Sequence, residues 1–147
     1  MFVPIVAISL NCYYFQPYLN LVNQPDNCET VASSPLGEQL VKGLDAYCPE
    51  VRSACVSAID EMCNNRQSVS YMQKYNVLAY LITLINRKYC KHSIRESARA
   101  IVGLTQILSS EDIPNLKLIT ESLSFTNDPR TLDSLAKIQQ TINNFSR

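Results

Sequence analysis

Apolar residues recur along this chain at helical spacing, in blocks separated by short polar links. Leu36, Leu40, Val41 and Leu44 share one face and predict a helix over Leu36–Tyr47. Pro49 interrupts, at a place where the first position of a new helix tolerates proline. Val51, Cys55, Ala58, Ile59 and Met62 then predict a helix over Val51–Asn64. A short helix is expected over Ser68–Tyr75, with Val69, Met72 and Tyr75 on one side. Asn76 is placed to cap the next, whose stripe is Val77, Leu78, Leu81, Ile82 and Ile85.

The second half follows the same pattern. Ser93-Ile94-Arg95-Glu96 has the form of a capping box, so a helix is expected to start at Ser93 and run through Ile94, Ala98, Ile101, Thr105 and Leu108. Ser109–Asp112 breaks it. Ile113–Ser124 is amphipathic through Leu116, Ile119 and Leu123. Asp128 and Pro129 give a cap and a first helical position for a last helix over Thr131–Phe145, with Leu132, Leu135, Ile138 and Ile142 inward. Residues 1–34 are least regular. Phe15, Tyr18, Leu19 and Val22 are helically spaced after Pro17, and Asn23–Ser34 reads as a polar loop.

The stripes repeat. Leu36, Leu40, Val41 and Leu44 map onto Val77, Leu81, Ile82 and Ile85 at an offset of 41. Val51, Cys55 and Met62 map onto Ile94, Ala98 and Thr105 at an offset of 43. A helix followed by an arginine-bearing helix, twice at this period, resembles armadillo or HEAT repeats. Leu36-Gly37-Glu38-Gln39-Leu40-Val41-Lys42-Gly43-Leu44 followed by Pro49-Glu50-Val51-Arg52-Ser53-Ala54-Cys55 is similar to an armadillo unit's second helix running into its third. The Ser68–Tyr75 segment would then be a first helix. The resemblance implies a single all-α domain over residues 1–147, a right-handed α-solenoid with units at 36–64, 68–108 and 113–145 after an atypical segment at 1–34. It departs from the family at one place. Armadillo proteins that bind extended basic peptides carry a tryptophan–asparagine ladder on the third helix. The corresponding positions here lie near Ser57 and Glu61, and near Ala100 and Leu104, and the chain has no tryptophan. That ligand is disfavoured, while a scaffold role is untouched.

Composition changes this picture little. One domain of 147 residues can bury a sizeable core. Three glycines are too few for hairpins or phosphate-cradling loops. Thirteen basic and thirteen acidic side chains cancel, giving no general reason to expect nucleic acid or an anionic membrane. The apolar start, Met1–Leu10, is too short to span a bilayer. Six cysteines read as mostly buried thiols of a cytoplasmic or nuclear protein. The alternative is a secreted, disulfide-linked helical protein, a ligand carrier or extracellular factor, to which the Asn144-Phe145-Ser146 sequon also belongs.

No constellation for catalysis, metal or cofactor emerges. His92 is the only histidine, and with Cys90 it supplies two ligands rather than a site. Asp60-Glu61 and Glu111-Asp112 are neighbours that point apart on a helix. Arg87–His92 is a basic link that reads as a wet loop. The expected function is therefore a non-enzymatic protein–protein interaction scaffold or adaptor, a subunit or regulator of a larger complex. Its partner would be a protein or peptide, or a second copy meeting it through the end repeats. The candidate contact surface is the polar face of the two arginine-led helices: Ser53, Ser57, Asp60 and Asn64, then Glu96, Arg99, Gly103 and Gln106.

Overall fold

The computed structural model describes residues 20–146, and every element within them is helical. In chain order these are α1 (Pro25–Ser33), α2 (Pro35–Gly43), α3 (Pro49–Cys63), α4 (Val69–Lys74), α5 (Val77–Arg87), α6 (Lys91–Leu104), a 3-10 turn (Ser110–Asp112), α7 (Ile113–Leu123) and α8 (Pro129–Phe145). No described helix is long and apolar enough to cross a membrane. The expected helical spacing from Phe15 to Leu19, together with Met1–Leu10 and Cys12, lies outside the described residues.

Three helix pairs succeed one another: α2 with α3, α5 with α6, and α7 with α8. The first members lie in a row, α2 against α5 and α5 against α7. The second members form a parallel layer, α3 against α6 and α6 against α8, and α3–α6 is the most extensive contact. The short helices α1 and α4 precede α2 and α5 and touch each other. Tyr75, just after α4, donates its hydroxyl to the Ala32 carbonyl of α1 at 2.7 Å. Before α7 the 3-10 turn stands where a short helix precedes the other pairs, held by Ser109 and Asp112 as reciprocal caps.

The stripes bury as their spacing implies. Leu40, Val41, Leu44, Val51, Cys55, Ile59 and Met62 join Val77, Leu81, Ile85, Ile94, Ala98 and Ile101 in one continuous core, which Leu116, Ile119, Leu123, Ile138 and Ile142 extend. Burial of this apolar area, at roughly 25 cal/mol per Å², is the main driving force for the stack.

Several boundaries differ from expectation. Asn23–Ser34 is not a loop: Pro25 starts α1, and Cys28, Val31 and Ala32 bury one face of it. The Leu36–Tyr47 helix ends at Gly43, because the chain must turn to enter α3. Asn76 makes no side-chain cap bond and is left-handed instead, at φ 60°. α6 starts two residues before Ser93: Cys90 is the cap, and its sulfur accepts the Ser93 N–H. Leu132 faces solvent, and Thr131 and Ser134 take the inward positions beside Ile138 and Ile142. Of the cysteines, Cys28, Cys55 and Cys63 are buried, Cys48 is half-buried and Cys90 is exposed; these five are free thiols.

Candidate functional site

Of the eight residues expected to form an open face, Asp60, Asn64, Glu96, Arg99 and Gly103 meet at the seam between α3 and α6. Asp60 is 1% exposed, held in the seam between α3 and α6. Its Oδ2 accepts Arg99 Nη1 at 2.7 Å and its Oδ1 accepts Asn64 Nδ2 at 2.8 Å. Asn64 also donates to the Arg99 carbonyl at 3.3 Å. Gly103 faces the same seam, where a Cβ would collide with the Cys63 carbonyl. Its lack of a side chain lets the two helices approach. Ser57 meets His92 Nε2 at 3.2 Å near the start of α6. No carboxylate bonds the His92 ring among the described residues, so this pair lacks the orienting group that would make the serine a nucleophile. Gln106 is exposed and turns back to the Gly103 carbonyl at 2.9 Å. Ser53 is half-buried.

Asn64, Glu96 and Arg99 do share a feature. They line a groove of about 690 Å³ between α6 and α8, with Arg95, Arg130 and Lys137. Its charges are mostly matched. Arg95 forks onto Asp128, Nε to Oδ2 at 3.0 Å and Nη2 to Oδ1 at 2.7 Å. Asp128 caps α8 as well, accepting the Thr131 N–H at 3.1 Å and its hydroxyl at 2.9 Å. The Arg95 hydrogen bond, helped by those from Thr131, outweighs partial burial and holds the Asp128 carboxyl well below the usual carboxylate range. Lys137 pairs with Asp133 one turn away. Arg130 is exposed and forms no ion pair among the described residues.

Asp60 behaves oppositely to Asp128. Burial, reinforced by the Glu96 carboxyl beside it, pushes its pKa up to about 8 although Arg99 pulls the other way. The Arg99 side chain is 55% exposed, so water screens its charge, while Asp60 has almost no water of its own. A carboxyl so enclosed is a structural joint rather than an accessible acid.

No protein-family model matches the sequence, and no curated protein is significantly similar to it. The armadillo/HEAT resemblance thus rests on the sequence period and its stripes alone. Among the described residues no cluster of three or more His, Cys, Asp or Glu side chains is placed to hold a metal ion.

The α8 side of the groove was not anticipated. Arg130, Asp133, Ser134 and Lys137 recur at helical spacing as a polar stripe, and that periodicity was the available signal. It was masked because the same helix also carries the covering apolar stripe.

Proposed function

We propose that this chain is a non-enzymatic interaction module, a right-handed α-solenoid of about three armadillo/HEAT-like units. The observation that carries the reading is the sequence separation of the bonds that tie one helix pair to another. Tyr75 to Ala32, Arg87 to Asp45, Arg99 to Asp60, Ser122 to Asn86 and Arg95 to Asp128 join residues 43, 42, 39, 36 and 33 positions apart. The first two fall within the roughly 40–47-residue repeat length of the armadillo/HEAT class and match the offset of the stripes, while the other three are shorter. The Tyr75–Ala32 and Arg87–Asp45 bonds thus join matching places in successive units, which supports nearest-neighbour stacking.

The module works by presenting fixed side chains along the stacked arginine-led helices. Its groove between α6 and α8 offers polar and charged groups in set positions, without a reactive centre. The partner is a protein or peptide, met in the cytoplasm or nucleus.

Two measurements test the reading. Removing Thr131–Arg147 strips the cover from an apolar face and is expected to end cooperative unfolding of a soluble monomer; a truncated chain that stays soluble and cooperative counts against stacking. In-cell crosslinking of the full chain should recover the same partners in repeated experiments, and lose them when charge is reversed in the groove (R130E with K137E) or on the loop edge described below. Partners indifferent to both surfaces would sink the interaction-module reading.

A further inference from the structure

The three links that join the two layers carry an exposed aromatic residue each. Tyr47 lies between α2 and α3, Tyr89 between α5 and α6, and Phe125 between α7 and α8, with exposures of 92%, 43% and 52%. They are not isolated. The Arg52 guanidinium of α3 lies 3.8 Å from the centre of the Tyr89 ring, and the Lys88 ammonium lies 4.4 Å from the centre of the Phe125 ring. In both cases a cation of one helix pair covers the aromatic ring of the next. Arg52 is itself fixed, donating from Nη1 to the Ala46 and Tyr47 carbonyls at 2.9 and 2.8 Å. Arg87 closes on Tyr89 as well, donating to its hydroxyl at 3.0 Å.

Beside this ladder is a hollow of about 230 Å³ lined by Lys88, Lys91, Ile94, Phe125 and Thr126 among others, with no carboxylate in its lining. Neither Lys88 nor Lys91 forms an ion pair among the described residues. The groove between α6 and α8 has most of its charges matched internally. The loop edge leaves two cations open next to an apolar floor.

We propose that this edge, formed by Tyr47, Tyr89 and Phe125 with Arg52, Lys88 and Lys91, docks an extended acidic peptide segment of a partner protein, anchored by a carboxylate in the Lys88–Lys91 hollow. The inference names the partner chemistry of the interaction module above and rests on that reading. Packed helices lie roughly 8–10 Å apart, and an extended chain advances about 3.3 Å per residue, so successive links meet about every third residue. A single-stranded nucleic acid also uses aromatic rings and cations, but it needs free ring faces for its bases. Here Arg52 covers one face of Tyr89 and Lys88 one face of Phe125, which leaves Tyr47 as the one ring of the three without a cation over it. Asp45 and the exposed Glu50 flank the α2–α3 link, so a continuous phosphate backbone is repelled there, whereas a peptide can keep its carboxylates at the Lys88–Lys91 end and pass that link with neutral residues.

The test is fluorescence anisotropy on the full chain with a labelled dodecapeptide carrying two glutamates three residues apart near one end and neutral residues elsewhere. A glutamine version and an oligouridine serve as competitors. The glutamate peptide is expected to bind, to weaken as salt is raised, and to lose on the order of tenfold in affinity with K88E/K91E. R66E, beyond the other end of α3 from the Tyr47 link, should leave it unchanged. These side chains are exposed, and matching thermal melts show that the fold is kept. Equal binding of the glutamine peptide, tighter binding of oligouridine, or indifference to K88E/K91E overturns the proposal. Loss with R130E/K137E alone moves the partner to the α6–α8 groove; it ends this proposal and leaves the interaction-module reading standing.

Discussion

Arg99 of α6 reaches back across the seam to Asp60 of α3, Nη1 to Oδ2 at 2.7 Å, and ties the two arginine-led helices together. The carboxyl at the centre of this joint keeps its proton to higher pH in the fold than in the unfolded chain, because burial and then Glu96 raise its pKa from 3.8 to about 8. Its stabilising contribution is therefore complete below pH 3.8 and disappears as pH climbs through about 8.

Wild-type protein should accordingly lose stability between mildly acidic and mildly alkaline pH, by at least about 1 kcal/mol in urea unfolding. D60N, which removes the titration, should flatten that slope. Identical pH profiles for the two proteins would show that Asp60 does not control it. Asp128 contributes with the opposite sign. Arg95 holds its carboxyl low, so its support is present at neutral pH and fails only in strong acid.

The same seam sets a steric limit. At Gly103 an added Cβ meets the Cys63 backbone carbonyl, whereas at Gly43 it meets the Cys55 sulfur, which a rotamer change can shift. G103A is expected to cost about 1–3 kcal/mol, despite alanine's better helix propensity. G43A should cost less. Denaturant titrations that rank the two variants in reverse would refute the close approach of α3 and α6.

Thiol chemistry should sort by burial and capping. Burial alone pushes Cys55 up to about 12, and burial followed by the nearby Asp60 drives Cys63 far above its ordinary value. At Cys90 partial burial opposes ionisation, but hydrogen bonds from Ser93 and His92 prevail and leave the thiol below its ordinary value. Brief alkylation of native protein at neutral pH should mark Cys90 and spare Cys55 and Cys63, which react only after unfolding. Peptide mapping that finds either buried thiol labelled as fast as Cys90 would contradict this core.

Much of this was legible in the pattern of side chains. The stripes through Leu40 and Leu81, and through Val51 and Ile94, place the main helices. Three things were hidden, each for a physical reason. The Asn23–Ser34 stretch looked like a loop because only Cys28, Val31 and Ala32 mark its buried face, among residues that favour turns. Cysteine is not an ordinary helix cap, so the sequence pattern points to Ser93 as the start rather than to Cys90. The expected contact face misjudged Asp60 and Gly103 because α6 touches α3, α5 and α8 together. A helix flanked on three sides buries more than its apolar stripe, and its polar residues then bond across seams instead of facing water.

One backbone feature sets stability against recognition at a single residue. Asn76 and Lys88, which bracket α5, are the only described non-glycine residues with positive φ, at 60° and 53°. Asparagine tolerates that region; lysine in it carries a cost of about 1 kcal/mol that glycine would remove. Lys88 therefore sits in a strained position while its ammonium rests on Phe125. K88G should melt higher than wild type yet hold the acidic peptide less tightly, as calorimetry and anisotropy on the same sample would reveal. A screen for heat resistance alone would thus select against the peptide docking proposed for this edge, so a thermal gain at this site should always be read beside a binding assay.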